Sequence, residues 1–274
     1  METNSFNDGK KFIKQRFARA LSSYNDNAVV QQQIHNRLIE LLQLTGKTSF
    51  KRILEIGCGT GGYTQQLTSV CSANEWIVND LFDNCIQNVS DCFFDKSWKY
   101  LPGDAEQLIF PGTFDMVTSA SCIQWFNSPR LFIQRIAAQL TDGAVLLLNT
   151  FGQNNFYEIS TITGKGLAYV SLEHIKDWVN PHFDILYLQE EEIKLQFPSP
   201  MKVLHHLKST GVTGTNANFW TRKMLQAFCD EYVDRYSVNN DVTLTYHPVY
   251  LLAVKINSAE KVDRNFLDTG SGFS

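Results

Sequence analysis

Chemistry in this chain is most concentrated in "ILEIGCGTGG", residues 53–62, where glycines stand at alternate positions behind an acid as Glu55-x-Gly57-x-Gly59-x-Gly61. Glycines so spaced after a short apolar run permit a tight strand-to-helix turn and a close approach of backbone to a nucleotide. The same stretch also reads as Gly57-x-Gly59-x-x-Gly62, the spacing that cradles a dinucleotide pyrophosphate. The glycines alone therefore leave two ligands open, a nicotinamide dinucleotide and S-adenosylmethionine. Asp80, the acid that ends "WIVND", would take the ribose hydroxyls of either one. Glu55 separates them: a carboxylate at that strand end would face the cationic methionine end of S-adenosylmethionine, directly or through water, and would repel a pyrophosphate. "GDAEQL", residues 103–108, adds Asp104 for an adenine amino group, with the small Ala105 leaving room beside it.

Those residues need strand ends to carry them, and the surrounding pattern supplies them. "KRILEI" (51–56), "EWIVND" (75–80), "WKYLPGD" (98–104), "FDMVTSA" (114–120) and "GAVLLLNTF" (143–151) read as strands. Helical stretches fall at 63–70, 84–94 and 130–140. Strands separated by helices of this length imply a mostly parallel sheet covered on both faces. From Gly152 to Asn180 the pattern is helical and irregular, with Ser171 as the N-cap of "LEHIKDWV". "FDILYLQEEEIKLQF" (183–197) alternates like a strand; helices are expected at 200–212 and 221–236, then the strand-rich run "DVTLTYHPVYLLAVKI" (241–256). Pro248 cannot donate to a ladder, so a bulge or break is expected there, with "VYLLAVKI" as the paired part.

The bulk properties narrow the function classes. The chain has 274 residues, 43% of them hydrophobic and 19% charged, enough for a sizeable core plus an inserted cap. Its net charge of −4 supplies no global field for collecting nucleic acid, and the fourth strand ends "TSASCIQWF" without the Asn/Asp-Pro-Pro-aromatic motif of nucleic-acid methylation. No signal-peptide core and no membrane-length apolar run is present, so a cytoplasmic protein without a membrane partner is expected. The six cysteines show neither paired spacing nor a cysteine–histidine cluster, so no metal is expected and the thiols read as reduced.

Four further segments carry a more specific resemblance: "FARALSSYNDNAVVQQQIHNRL" (17–38), "SASCIQWFNSP" (119–129), "VLHHLKSTGVTGTN" (203–216) and "LTYHPVYLLAVK" (244–255). In this order they resemble the malonyl-acyl-carrier-protein O-methyltransferases of biotin synthesis, from about Phe17 to Lys255. The chain departs from that pattern at His205 and His206, where an arginine is frequent, and at Val212, where alanine is usual. The resemblance implies an α/β class I methyltransferase fold, Rossmann-like, with a mostly parallel seven-stranded sheet whose last strand is antiparallel. It implies an N-terminal helical lid over 1–45, a cofactor core over 46–151, sheet completion with an inserted helical cap over 152–258, and a flexible tail over 259–274.

The resemblance also implies site residues. S-adenosylmethionine would be held by Arg19, Glu55, Gly57, Gly59 and Gly61, and further by Asp80, Leu81, Asp104, Ala105 and Ser119. Tyr24 on the lid, with Gln124 and Trp125 after the fourth strand, would bound the methyl-transfer channel. The acceptor implied is the free carboxylate of a malonyl thioester on an acyl carrier protein. A carboxylate is ionised at neutral pH, so positioning rather than a general base would carry the catalysis. His206, Lys208, Arg222 and His247 are the candidates for holding substrate or carrier, with Arg19 and His174 as further cations for the carboxylate. An acidic carrier would dock on the basic stretch Lys202, His205, His206, Lys208, Arg222 and Lys223. Two other readings remain open from the residues: another small carboxylate acceptor, and a non-catalytic subunit that binds S-adenosylmethionine.

Overall fold

A computed structural model describes residues 28–211 and 221–257. Arg19, Tyr24, the rest of 1–27, the stretch 212–220 and the expected tail lie outside the described residues. The first described element, helix α1 (Val29–Leu44), buries Val30, Ile34, Leu38, Leu41 and Leu42. That spacing is an apolar stripe one face wide, and it packs on helix α2 (Gly62–Val70) and on the sheet. The described part of the expected lid is thus a core helix, and a lid can involve only residues before it.

The sheet has seven strands: β1 (Ser49–Ile56), β2 (Ser72–Asp80), β3 (Trp98–Pro102), β4 (Phe114–Ser119), β5 (Leu140–Phe151), β6 (Phe183–Glu190) and β10 (Pro248–Lys255). They lie in the order β3-β2-β1-β4-β5-β10-β6. The β1–β2, β1–β4, β2–β3 and β4–β5 pairs are parallel, and β10 is antiparallel to both its neighbours. The expected mostly parallel sheet with an antiparallel last strand is therefore present. β1 is buried through its last four residues and β5 through Ala144–Asn149, as strands covered on both faces must be. α1 and α2 cover one face; α4 (Pro129–Gln139) and α6 (Leu172–Val179) lie with the apolar cluster on the other. Between β2 and β3 the expected helix shrinks to irregular turns over 83–93, with α3 (Ile86–Val89) at their centre.

The cap differs from its expected all-helical form. The run 183–197 breaks at Glu191–Glu192: β6 joins the large sheet, and β7 (Ile193–Phe197) enters a second sheet of order β7-β9-β8 with β9 (Asp241–Tyr246) and β8 (Ser237–Val238). Helices α5 (Tyr157–Thr163), α7 (Pro200–Ser209) and α8 (Arg222–Tyr236) pack on it. A second break falls at His247, where the chain passes from β9 into β10; Pro248 stands first in β10, opposite Phe151. A proline is tolerated there because a strand's first residue need not donate to the ladder. The register shift in β10 comes later, between Leu252 and Ala253.

Buried polar groups stitch the cap to the sheet. Glu158 on α5 is fully buried and accepts from Thr245 N (3.1 Å) and Oγ1 (2.7 Å); its burial raises its pKa. Asn155 Oδ1 accepts from His247 N at 3.0 Å. Such bonds hold the segment after β5 against the β9–β10 junction, because a buried carboxylate without partners would be costly.

Candidate active site

The cleft forms where β1, β2, β3 and β4 end together. The loop after β1 is pinned first: Gly57 N and Cys58 N both donate to Asn79 O, at 2.8 and 3.1 Å. Gly57 has φ +74°, and a Cβ there would stand 2.5 Å from Cys122 Sγ. Gly61, at φ +81°, is the left-handed N-cap of α2, and a Cβ on it would meet Asn88 O at 2.6 Å. These two glycines are required by conformation and by space at once.

Asp80 closes the second wall. Its Oδ2 accepts from Gly59 N at 2.8 Å and its Oδ1 from Phe82 N at 3.1 Å. Burial pushes its pKa up, and the two N–H donors oppose that shift. The Cys85 side chain and the Leu81 backbone also hydrogen-bond to it and oppose the rise, so a vicinal diol would have to compete for the carboxylate's about four acceptor positions. Asn79 Nδ2 donates to Leu101 O (2.7 Å) and Gly103 O (3.0 Å), which carries the β3 end to the same rim. There Asp104 and the buried Ala105 face the cleft. Glu106 Oε1 and Oε2 accept from Ser128 N and Asn127 N, and Arg135 donates to Glu106 O and Leu108 O. The β3 loop is thereby locked to the start of α4.

The resulting cleft holds a cavity of about 110 Å³ that opens to solvent. Of the residues expected at a cofactor site, Gly57, Gly59, Asp80, Leu81, Asp104 and Ala105 line it, and so does Trp125. Gly61 shapes the loop from one residue outside the lining. Glu55 and Ser119 do not line it. Ser119 is buried and donates its hydroxyl to Ile56 O at 2.9 Å. Glu55 is 1% exposed beneath the loop, where Thr64 Oγ1 donates to its Oε1 at 2.9 Å and Oε2 has no partner. Burial raises its pKa to about 8, with Asp80 nearby adding to the rise. Glu55 therefore lies beneath the loop, outside the cleft lining, with one carboxyl oxygen unpaired.

His35 was not apparent from sequence. It stands on α1 beside the buried Ile34, its ring 5.6 Å from that of Tyr63, and it forms part of the cleft wall. Burial lowers its pKa to about 4, so it is neutral at physiological pH. Tyr63 OH and Thr118 Oγ1 share a hydrogen bond of 2.7 Å behind it.

A second, much smaller chamber of about 20 Å³ lies behind Ser121 and Trp125, which border both spaces. Gln124 lines this chamber rather than the cleft. The turn between them is conformationally marked, since Ser121 has φ +52° and donates to Asn149 Oδ1 at 3.0 Å. Backbone in this region is uncommon for a residue other than glycine and concentrates near functional sites.

The expected substrate cations divide in two. His206 is buried, bonded through Nε2 to Tyr246 OH at 2.8 Å and packed near Phe197. His247 is buried, accepts from Asn154 N at 3.0 Å through Nδ1, and lies 3.4 Å from Glu190. Both histidines hold the cap together and are removed from the substrate-binding set, because the turn of α7 and the β9–β10 junction point them inward. His174 shares a hydrogen bond with the N-cap hydroxyl of Ser171 at 2.9 Å. Lys202, His205 and Lys208 share the exposed face of α7, and Arg222 and Lys223 are exposed at the start of α8.

The comparisons agree with this geometry. The family described as "methyltransferase domain" matches residues 54–148. A malonyl-acyl-carrier-protein O-methyltransferase of Bacteroides thetaiotaomicron is 41% identical over 90% of this chain and 98% of its own. One of Porphyromonas gingivalis is 41% identical over 90% and 96%. Among solved structures, the YcgJ protein of Bacillus subtilis matches at TM-score 0.58 with 15% identity, covering 81% of this chain and 100% of that one. The N-methyltransferase NodS of Bradyrhizobium japonicum, in complex with S-adenosylhomocysteine, matches at TM-score 0.53 with 14% identity, covering 89% and 98%. At such identities the structural matches establish the fold, and the curated relatives establish the kinship. With the glycine loop, the β2 acid and the antiparallel last strand in place, the chain is an S-adenosylmethionine-dependent methyltransferase and belongs to the malonyl-acyl-carrier-protein O-methyltransferase family.

Proposed function

We propose that this protein methylates the free carboxylate of a malonyl group held as a thioester on an acyl carrier protein, early in biotin synthesis. The observation that carries the reading is that the similarity to the curated relatives extends over about 90% of the chain, through the cap as well as the cofactor half. A shared cofactor cleft alone would leave the acceptor open.

The cleft fits S-adenosylmethionine. Gly57 and Gly61 keep a Cβ out of the loop, and Asp80, Asp104 and Ala105 line the cleft, where the first would hold the ribose and the other two the adenine edge. When bound, S-adenosylmethionine supplies an electrophilic methyl group on a sulfonium. Around it the chain's own residues orient and exclude water: Trp125, Phe126, Tyr63 and the neutral His35 form the apolar side of the cleft. The acceptor is already an anion at neutral pH, so neither a general base nor a metal is called for. What remains is alignment of carboxylate and methyl in a dry space. Trp125 borders both cleft and chamber and Gln124 the chamber, and with Tyr24 and Arg19 of the N-terminal segment they would bound the methyl-transfer channel.

An acidic carrier would dock on the exposed face of Lys202, His205 and Lys208 on α7 with Arg222 and Lys223 on α8. A cytoplasmic setting suits this chemistry, and among the described residues no helix is long and apolar enough to cross a membrane. The test is methyl transfer to malonyl, succinyl and acetyl thioesters of one carrier protein. The malonyl thioester should be methylated fastest and the acetyl thioester, which has no free carboxylate, should not react. A preference for succinyl would move the acceptor to another dicarboxylate, and a protein inert on all three would overturn the reading.

A further inference from the structure

The cleft wall carries a titratable side chain that neither the glycine loop nor the family resemblance assigns. His35 reaches the cleft from α1 and lines it beside Gly62 and Tyr63, where α2 begins. A Cβ on Gly62 would stand 3.5 Å from His35 Cε1 and 3.6 Å from Nδ1, so this edge of the ring faces the first residue of that helix. The ring also packs against Tyr63, with centroids 5.6 Å apart. Neither ring nitrogen has a hydrogen-bond partner among the described residues, and burial alone accounts for the lowered pKa of about 4. A neutral imidazole, one nitrogen donating and the other accepting, therefore stands in the wall with both functions unused.

Its place in the cleft selects the part of the cofactor it would meet. Asp104 and Ala105 at the end of β3 would take the adenine edge and Asp80 at the end of β2 the ribose, so the methionine end extends the other way, over the glycine loop to the start of α2. That end carries an α-carboxylate, and the described lining residues include no lysine or arginine to receive it. Several other donors of the lining are already engaged within the protein: Tyr63 OH shares a bond with Thr118, Asn79 Nδ2 donates to Leu101 O and Gly103 O, and Ser121 donates to Asn149. The first turn of α2 has no side-chain cap, so its N–H groups add a potential that favours an anion beside His35. Glu55, beneath the loop, is kept protonated at neutral pH by burial and does not oppose that anion.

We propose that His35 positions the cofactor by donating its ring N–H to the α-carboxylate of S-adenosylmethionine. With Asp80 at the ribose and His35 at the carboxylate, the sulfonium would be fixed from both sides, as in-line transfer requires. The inference rests on the cofactor reading above and gives a role to a residue on the helix that precedes the glycine loop.

Calorimetry of the full chain with two ligands tests it: S-adenosylhomocysteine, which keeps the amino-acid end, and 5′-methylthioadenosine, which lacks it. The readout is the ratio of the two affinities. In the wild type S-adenosylhomocysteine should bind the more tightly. In His35→Phe, which keeps a ring against Tyr63 but has no nitrogen, that advantage should shrink about tenfold, the loss expected for a hydrogen bond to a charged group, with 5′-methylthioadenosine binding as before. His35→Ala, which adds no bulk, carries the same test should the phenylalanine variant not fold. An unchanged ratio, whether both affinities fall together or neither does, would make His35 a packing residue and overturn the contact. Wild-type protein that binds the two ligands equally would also overturn the contact while leaving the cofactor reading in place. Wild-type protein that binds neither would remove the cofactor reading, and the contact with it.

Discussion

The cleft and the smaller chamber share Trp125 as a wall, yet they are built in opposite ways. In the cleft the backbone is the instrument: Gly57 N, Cys58 N, Gly59 N and Phe82 N are all engaged by the end of β2, and the loop is fixed before any ligand arrives. In the chamber side chains are the instrument, and two of their polar ends have no partner. A nucleotide that many proteins bind alike can be served by short-range backbone geometry. The chamber's side chains are collected from distant elements, α1, the turn after β4 and the segments after β5. The difference predicts that damage to the cleft spreads to everything, whereas damage around the chamber and cap discriminates between substrates.

The largest expected effect is at Gly57. Gly57→Ala places a methyl group 2.5 Å from Cys122 Sγ at φ +74°, combining a clash with a strained backbone. It should weaken S-adenosylhomocysteine binding by about 3 kcal/mol or more and lower the melting temperature, as read by calorimetry and thermal unfolding. Unaltered binding would mean that the loop is not preformed. Asp80→Ala should come next, at about 1.5–3 kcal/mol of cofactor affinity, the cost of losing a charged hydrogen-bond acceptor. Here tight binding of NADH, with none of S-adenosylhomocysteine, is the result that would sink the cofactor assignment.

On the cap side the effect should be selective. Lys208→Glu with Arg222→Glu should raise KM for the carrier-bound substrate about tenfold at low salt, with less effect at high salt, and should change little on a small malonyl thioester. Equal losses on both substrates would place these residues in the pocket or the core. No loss on either would leave the basic face without a partner.

The smallest effect concerns Glu55. Its pKa is raised from 4.5 to about 8 in the folded protein, so the folded state binds the extra proton between those values. The stability this contributes is present below about pH 4.5 and is lost as pH rises through 8. Glu55→Gln should flatten that decline, with a gain of about 2–4 °C in melting temperature at pH 8.5, the shift that about 1 kcal/mol produces at this chain length. A melting temperature with the same pH slope in both proteins would show that Glu55 is ionised throughout.

Much of the cofactor half was legible from sequence because its signals are local. A glycine at positive φ, a proline that cannot pair and a hydroxyl at a helix start each act over a few residues. Gly57, Gly61 and the Ser171 cap accordingly stand where the chain alone placed them, whereas Pro248, expected at a break, is paired with Phe151 and the break falls one residue earlier at His247. Glu55 shows the limit even there. Its position one residue before a strand's end was evident, but a strand alternates its side chains between faces. Only the packing of Thr64 and Tyr63 reveals that it points beneath the loop rather than into the cleft. The strand run 183–197 shows another limit, since period-two alternation is the same whichever sheet a strand joins.

By itself, then, the sequence determined the alternation of strands and helices through the first five strands, apart from the helix expected at 84–94, together with the glycine loop and the acids at three strand ends, because these follow from backbone sterics and short-range periodicity. Tertiary structure alone decided that His206 and His247 bind the cap together while Lys202, His205 and Lys208 face outward. It also decided that His35 and Gln31, one helical turn apart on α1, reach two different spaces. A side chain's chemistry is written in its residue type. Whether that chemistry meets solvent, a ligand or another buried group depends on elements that arrive from well outside its own helix or strand, as Tyr246 does for His206 from β9 and Asn149 from β5 for the turn at Ser121.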